Sequence, residues 1–368
     1  MLFTLSCRSG EPPGKWRNLL FRVPGTACLF RGFPVGPGAS FLEQTDESQI
    51  GVVRSVQVAK DRIFVLDASN VLFEFSRDGS YVGKLDRLGR GPEEYMMIMS
   101  FEIQGSGEER RIAINDPVNR RLQFYDLDFR FLESMDFPFP FFHFHALPSG
   151  TLVLYRALMG GAGEQFNQDL MLRNPETGEM ASYFPYTGMS PRNADEKSLL
   201  PNETGALFHT NYSDVVLSIS DKGRVDSAYH ITFGPFEFPE ADYLRSGEDG
   251  SLFDRSWRES DLVYRYCFRE IGESVFLAFV RKGTRYTVLQ DAAGKQVFSE
   301  GLRDDFGYGL EDGWPDFFDG DRVGFVLYPY ILQEKRKEGV ALHASLEPVR
   351  PDANPVLVLF DIRSTLQP

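Results

Sequence analysis

The chain has 368 residues, 42% hydrophobic, 25% charged and 14% aromatic. That balance excludes disorder, collagen-like and coiled-coil builds, and the length is ample for one large all-β domain. No apolar run approaches the roughly 18 residues of a membrane-spanning helix, and 53 acidic against 39 basic residues, a net charge of −14, repel phosphate backbones and set nucleic acid aside as a partner.

The three cysteines, Cys7, Cys28 and Cys267, have no Cys-x-x-Cys spacing and suggest neither a zinc site nor a disulfide framework. Cys7 follows Met1-Leu2-Phe3-Thr4-Leu5-Ser6, an apolar stretch with a small residue directly before the thiol. This looks like the end of a bacterial lipoprotein signal, in which the cysteine is acylated after cleavage. On that reading Met1 lies inside a longer signal. Residues 1–24 are then a signal remnant and tether, ahead of one domain spanning 25–368. The plain alternative is a cytosolic tail with a chance cysteine.

Self-similarity dominates the next stretch. Arg62-Ile63-Phe64-Val65-Leu66-Asp67, Leu72-Phe73-Glu74-Phe75-Ser76-Arg77-Asp78-Gly79 and Tyr81-Val82-Gly83-Lys84-Leu85 align with Arg111-Ile112-Ala113-Ile114-Asn115-Asp116, Leu122-Gln123-Phe124-Tyr125-Asp126-Leu127-Asp128 and Phe131-Leu132-Glu133-Ser134-Met135. Short apolar or alternating runs broken by Asp, Asn and Gly are the pattern of antiparallel strands. The offset of about 50 residues suits propeller blades of four strands. The same hairpin turn returns at Glu176-Thr177-Gly178, Asp221-Lys222-Gly223 and Asp291-Ala292-Ala293-Gly294. A last strand, Val356 to Asp361, has no return strand after it. The pattern predicts an all-β, six-bladed β-propeller of four-stranded antiparallel blades, its ring closed by an N-terminal strand near Ser40-Phe41-Leu42-Glu43.

Three segments carry a family resemblance: Phe41 to Gly51, Gly89-Arg90-Gly91-Pro92-Glu93-Glu94-Tyr95, and Tyr212-Ser213-Asp214 running on to Tyr229-His230-Ile231-Thr232-Phe233-Gly234. With these the chain resembles the six-bladed β-propeller lipoproteins of Gram-negative bacteria, related in shape to NHL-repeat propellers, over roughly residues 40 to 362. The resemblance implies the propeller fold and export as a periplasmic or outer-membrane lipoprotein. It implies no reaction.

Strand alternation sorts the connections. With strands ordered A to D from the axis outwards, A–B and C–D turns share one face, B–C and D–A loops the other. Every long insertion falls in the second class: residues 86–95, 156–168, 185–197, 234–261, 301–315 and 331–354. Long loops that persist in compact domains are often functional, which marks this face as the working one.

Several residues on or near that face carry chemistry. In Gly89 to Tyr95 the glycines supply special backbone angles and the proline fixes the turn. Arg90 and Glu93 are placed to meet a ligand. In the preferred structural reading Arg90 pairs with a carboxylate and Tyr95 caps the junction of the first two blades. Asp67 and Asp116 end equivalent B strands. Axial carboxylates suit calcium, which takes six to eight oxygens, but one aspartate per blade fits an Asx turn better. His143 and His145 are two apart on a predicted innermost strand and share a side, a spacing that can hold a transition metal, with His209 the one further histidine in reach. Packing among Phe139, Phe141, Phe142 and Phe144 is the blander account. Trp257, Trp314, Tyr328 and Tyr330 sit in or beside long loops, to stack on a ligand or to plug the loops onto the sheet. Residues 333–342 form the best helix.

Two functions compete. The leading one is a monomeric binding or scaffold module, without cofactor, that takes a protein, peptide or glycan on the long-loop face and meets the membrane only through its lipid. The other is a metal-assisted hydrolase, lactonase or lyase with its site in the axial mouth, using calcium or another divalent metal. An enzyme needs several convergent axial carboxylates, amides or histidines, and no Gly-x-Ser-x-Gly or His-Glu-x-x-His motif occurs.

Overall fold

The computed structural model describes residues 17–20, 38–105, 109–156, 168–185, 198–202, 204–209, 215–236, 261–300, 308, 310 and 315–361. Six four-stranded antiparallel sheets, each one blade, form a six-bladed β-propeller. From the innermost strand outwards, the first blade is Val53–Ala59, Arg62–Asp67, Leu72–Ser76 and Tyr81–Leu85. The second is Ser100–Gln104, Arg111–Asp116, Arg121–Tyr125 and Phe131–Asp136, and the third His143–Ala146, Leu152–Tyr155, Gln168–Arg173 and Met180–Pro185. The fourth is Leu199–Asn202, Gly205–Phe208, Val215–Ser220 and Val225–Thr232, and the fifth Tyr264–Ile271, Ser274–Arg281, Thr284–Gln290 and Gln296–Glu300. The sixth takes three strands from the C-terminal end, Phe317–Asp319, Arg322–Leu327 and Val356–Asp361, and its outer strand, Gly38–Phe41, from the N-terminal end.

The ring follows from strands that are apolar on both sides. Period-two alternation sends successive side chains of one strand to opposite neighbours. In Arg62–Asp67, Ile63 and Val65 pack on the sixth blade, while Phe64 and Leu66 pack on the second. In Leu152–Tyr155, Leu154 faces the second blade and Val153 and Tyr155 the fourth. Among the described residues, six apolar clusters result, one in each gap between successive blades. Burying the last gap against the first is what makes closure favourable.

One five-residue turn joins the two outer strands in four blades: Ser76 to Ser80, Asp126 to Arg130, Ser220 to Arg224 and Asp291 to Lys295. In each, the first N–H donates to the fifth carbonyl and the fourth N–H to the first carbonyl. The fourth residue has positive φ, supplied by Gly79, Gly223 and Gly294, and by Phe129 in the second blade.

Two details differ from the sequence reading. The helix is Pro329–Lys337, starting four residues and ending five residues earlier than expected, because Pro329 starts the first turn and Gly339, at φ 80°, ends the last. Arg17–Leu20, inside the expected tether, adds a fifth strand parallel to Val225–Thr232 on the outer edge of the fourth blade. No helix among the described residues is long and apolar enough to cross a membrane.

Candidate functional site

Around the axis, inner-strand polar side chains reach across to the next blade. Arg54 donates to the carbonyls of Ile98 (2.9 Å) and Met99 (3.2 Å) and to Asn70 Oδ1. Gln57 donates to Phe101 O at 2.5 Å and accepts the Ile103 N–H. Ser100 Oγ donates to Phe142 O at 3.1 Å. Asn202 donates to Glu270 Oε2, and Arg269 lies over the Phe318 ring at 5.3 Å. These links meet polar needs at the axis, where too few apolar neighbours remain to cover the inner strands.

The Gly-Arg-Gly-Pro-Glu-Glu-Tyr loop is a splice between the first two blades. Tyr95 is fully buried; its hydroxyl lies 3.0 Å from Leu85 O and 2.9 Å from Asn70 O, and it accepts the Arg87 N–H. Burial pushes its pKa far up, so it stays a neutral donor. From the second blade, Arg121 and Gln123 donate to Glu94 O, and the Tyr125 hydroxyl donates to Glu93 O at 3.0 Å. The glycines are there for room and not for positive φ, which neither has. Glu94 folds back so that its Oε2 accepts the Gly91 N–H at 2.7 Å, and a Cβ on Gly89 would come within 2.0 Å of that oxygen. Arg90, expected to pair with a carboxylate, is exposed; Arg87 takes Glu93 instead, at 3.1 Å.

Asp67 and Asp116 are not brought together. Each clamps its own blade: Asp67 Oδ1 accepts the N–H groups of Ser69 and Val71, and its Oδ2 that of Gly51. Asp116 accepts from Asn119 on one side and from the Met96 N–H on the other. One carboxylate thus ties a B–C turn to the loop entering the same blade, the expected Asx turn extended by one bond.

His143 and His145 lie on the innermost strand of the third blade, opposite Tyr155 and Val153 respectively, and share a side. His145 is buried, with Nδ1 bonded to Glu102 Oε1 of the second blade. Glu102 Oε2 accepts the Ala146 N–H at 3.1 Å and Gln104 Nε2 at 3.0 Å. Burial pushes the His143 imidazole down to about 4, which leaves it uncharged at neutral pH. His209 packs elsewhere, 6.1 Å from the Phe268 ring. Among the described residues no three His, Cys, Asp or Glu side chains converge as a metal site. Cys7, Trp257 and Trp314 lie outside the described residues. Tyr328 plugs its loop onto the first blade by accepting the Val53 N–H at 2.9 Å.

The model of a domain of unknown function, DUF4934, matches residues 41–361. The chain belongs to the DUF4934 family. The match runs from the end of the closing strand to the last strand of the sixth blade, so the DUF4934 domain is this propeller. A Bacteroides fragilis protein predicted to be exported aligns at TM-score 0.75 with 17% identity, over 88% of this chain and 94% of that one. A member of the DUF4221 family from Bacteroides vulgatus aligns at TM-score 0.53 with 7% identity, over 89% and 97%. At these identities both speak to the fold of DUF4934 alone. No curated protein matches.

Sequence reasoning on this DUF4934 chain missed Glu102, Arg121 and Gln123. A usable signal was there: polar residues at strand positions that alternation assigns to an interblade face, as with Gln123 between Leu122 and Phe124.

Proposed function

We propose that this protein is an exported, monomeric binding module that takes a protein, peptide or glycan on its long-loop face, around the axial mouth. The carrying observation is loop length sorted by face. No A–B or C–D connection exceeds six residues, whereas connections on the other face reach 31 residues, between Thr232 and Tyr264. Random drift in loop length would lengthen both faces. Tight turns offer few convergent groups, and binding pockets need depth. Export as a periplasmic or outer-membrane lipoprotein, acylated at Cys7, is supported by the residues around that cysteine and by the likeness to an exported-type Bacteroides protein. The enzymatic alternative, a hydrolase, lactonase or lyase, draws on one observation, the Glu102–His145 pair beside His143.

The test is a pull-down of the native protein with its partner, footprinted by hydrogen exchange. Protection of residues 86–99, 156–167, 233–263 and 328–355 is expected. Protection confined to the Asp78, Glu176 and Asp221 turns overturns the proposal.

A further inference from the structure

We propose that His143 and His145 form a two-imidazole site for a borderline divalent cation, zinc, nickel or copper(II), with Glu102 as the carboxylate that orients His145. This inference is independent of the long-loop face. Four features of the inner strand support it. Residues two apart lie about 6.6 Å from each other on one side of a strand, close enough for two rings to tilt toward a shared ion at about 2.0–2.1 Å from each nitrogen. Both are held in register by the neighbouring strand Leu152–Tyr155. Glu102 is fixed by the Ala146 N–H and by Gln104, and it faces His145 Nδ1. A carboxylate there fixes the hydrogen on Nδ1 and leaves the lone pair on Nε2, the arrangement by which ligating histidines are usually oriented. Finally, His143 Nδ1 is buried without a partner among the described residues.

The donor set selects the ion. Two imidazole nitrogens suit zinc, nickel and copper. Calcium wants six to eight oxygens, and Glu102, the carboxylate beside the pair among the described residues, is committed to hydrogen bonds. Water fills the remaining positions, in keeping with the lack of three convergent protein ligands among the described residues.

The test is calorimetric titration of the tag-free protein with Ni²⁺ and Zn²⁺, and electron paramagnetic resonance with Cu²⁺. One saturable equivalent is expected, with two equatorial nitrogens in the copper spectrum. His143→Ala, which breaks no side-chain hydrogen bond among the described residues, should weaken binding at least tenfold. Glu102→Gln keeps both ligands and should weaken it by about 10–100-fold, the usual range for loss of an orienting carboxylate. Unchanged affinity in His143→Ala, no saturable binding, or a copper spectrum with fewer than two nitrogens overturns the proposal. The copper spectrum needs only the native chain, so it decides the matter even where a variant fails to fold.

Discussion

Glu74 is 1% exposed in the third strand of the first blade, and its Oε2 has no hydrogen-bond partner among the described residues. Burial raises its pKa from 4.5 to about 7, against the opposing pull of Arg62 at 3.3 Å and of Arg110, with Asp128 and Asp61 pushing the same way as burial. Between pH 4.5 and 7 the folded chain holds a proton that the unfolded chain has released, so stability falls as pH rises through that window. Glu74→Gln should flatten the slope and raise stability at pH 8 by about 2 kcal/mol, net of the lost ion pair. Urea unfolding at pH 5 and pH 8 checks this; a variant less stable than the parent at pH 8 would refute it. Tyr95→Phe leaves Leu85 O and the Arg87 N–H without their hydroxyl partner and should lower stability by about 1–2 kcal/mol by the same measurement. The junction role of Tyr95 was legible in the sequence, because a large aromatic with a polar tip beside a Gly-Pro turn needs a buried partner. The exposure of Arg90 was not, because the choice between Arg87 and Arg90 for Glu93 depends on how the loop folds back over Glu94.

At the scale of elements, the closing strand does more than finish the sixth blade. Beyond Phe41 the chain crosses to the first blade, where the Glu43 N–H donates to Gly79 O at 2.8 Å and Glu43 Oε2 accepts the Tyr81 N–H at 2.7 Å. Gly79 sits at φ 92°, and a Cβ there would come within 2.1 Å of Phe41 O. Gly79→Ala therefore strains both the turn and the seam, and should destabilise by more than about 1 kcal/mol. Gly294→Ala, in the same kind of turn but with nothing within 4 Å, carries the backbone penalty alone. Comparing the two by denaturant unfolding isolates the seam; equal losses would show that Gly79 matters only for its turn. The hairpins and the closing strand were legible because short turns bearing Asp and Gly, and two-sided apolar runs, are local signals. The helix boundary and the fifth strand of the fourth blade were not. The first depends on Pro329 against Gly339, and the second on an edge that only the closed ring presents.

At the scale of the molecule, the parallel strand Arg17–Leu20 limits where an anchored propeller can sit. Nine residues lie between Cys7 and Arg17, ten Cα steps with a reach of at most about 36 Å when fully extended. With acyl chains on Cys7, as proposed, the outer edge of the fourth blade would stay within that distance of the bilayer, whereas the first blade, diametrically opposite in a six-membered ring, is under no such bound. The N-terminal segment thus closes the sixth blade and pairs with the edge of the fourth, and on the proposed acylation of Cys7 it would favour the fourth-blade side of the ring toward the lipid. Fluorophores placed singly at Asp226 in the fourth blade and at Val82 in the first, with the lipidated protein in vesicles carrying a headgroup quencher, read this directly. Asp226 lies on the strand that Arg17–Leu20 extends, and Val82 is exposed on the outer strand of the first blade. Stronger quenching at Asp226 than at Val82 is expected. Asn18→Pro, which removes an N–H from the mooring strand, should bring the two signals together by freeing the residues up to Gly38 as a longer leash. Equal quenching in the parent protein would mean that the strand does not hold in the anchored state, and stronger quenching at Val82 would reverse the orientation. Mass spectrometry of Cys7 on the same preparation separates a wrong orientation from a missing lipid.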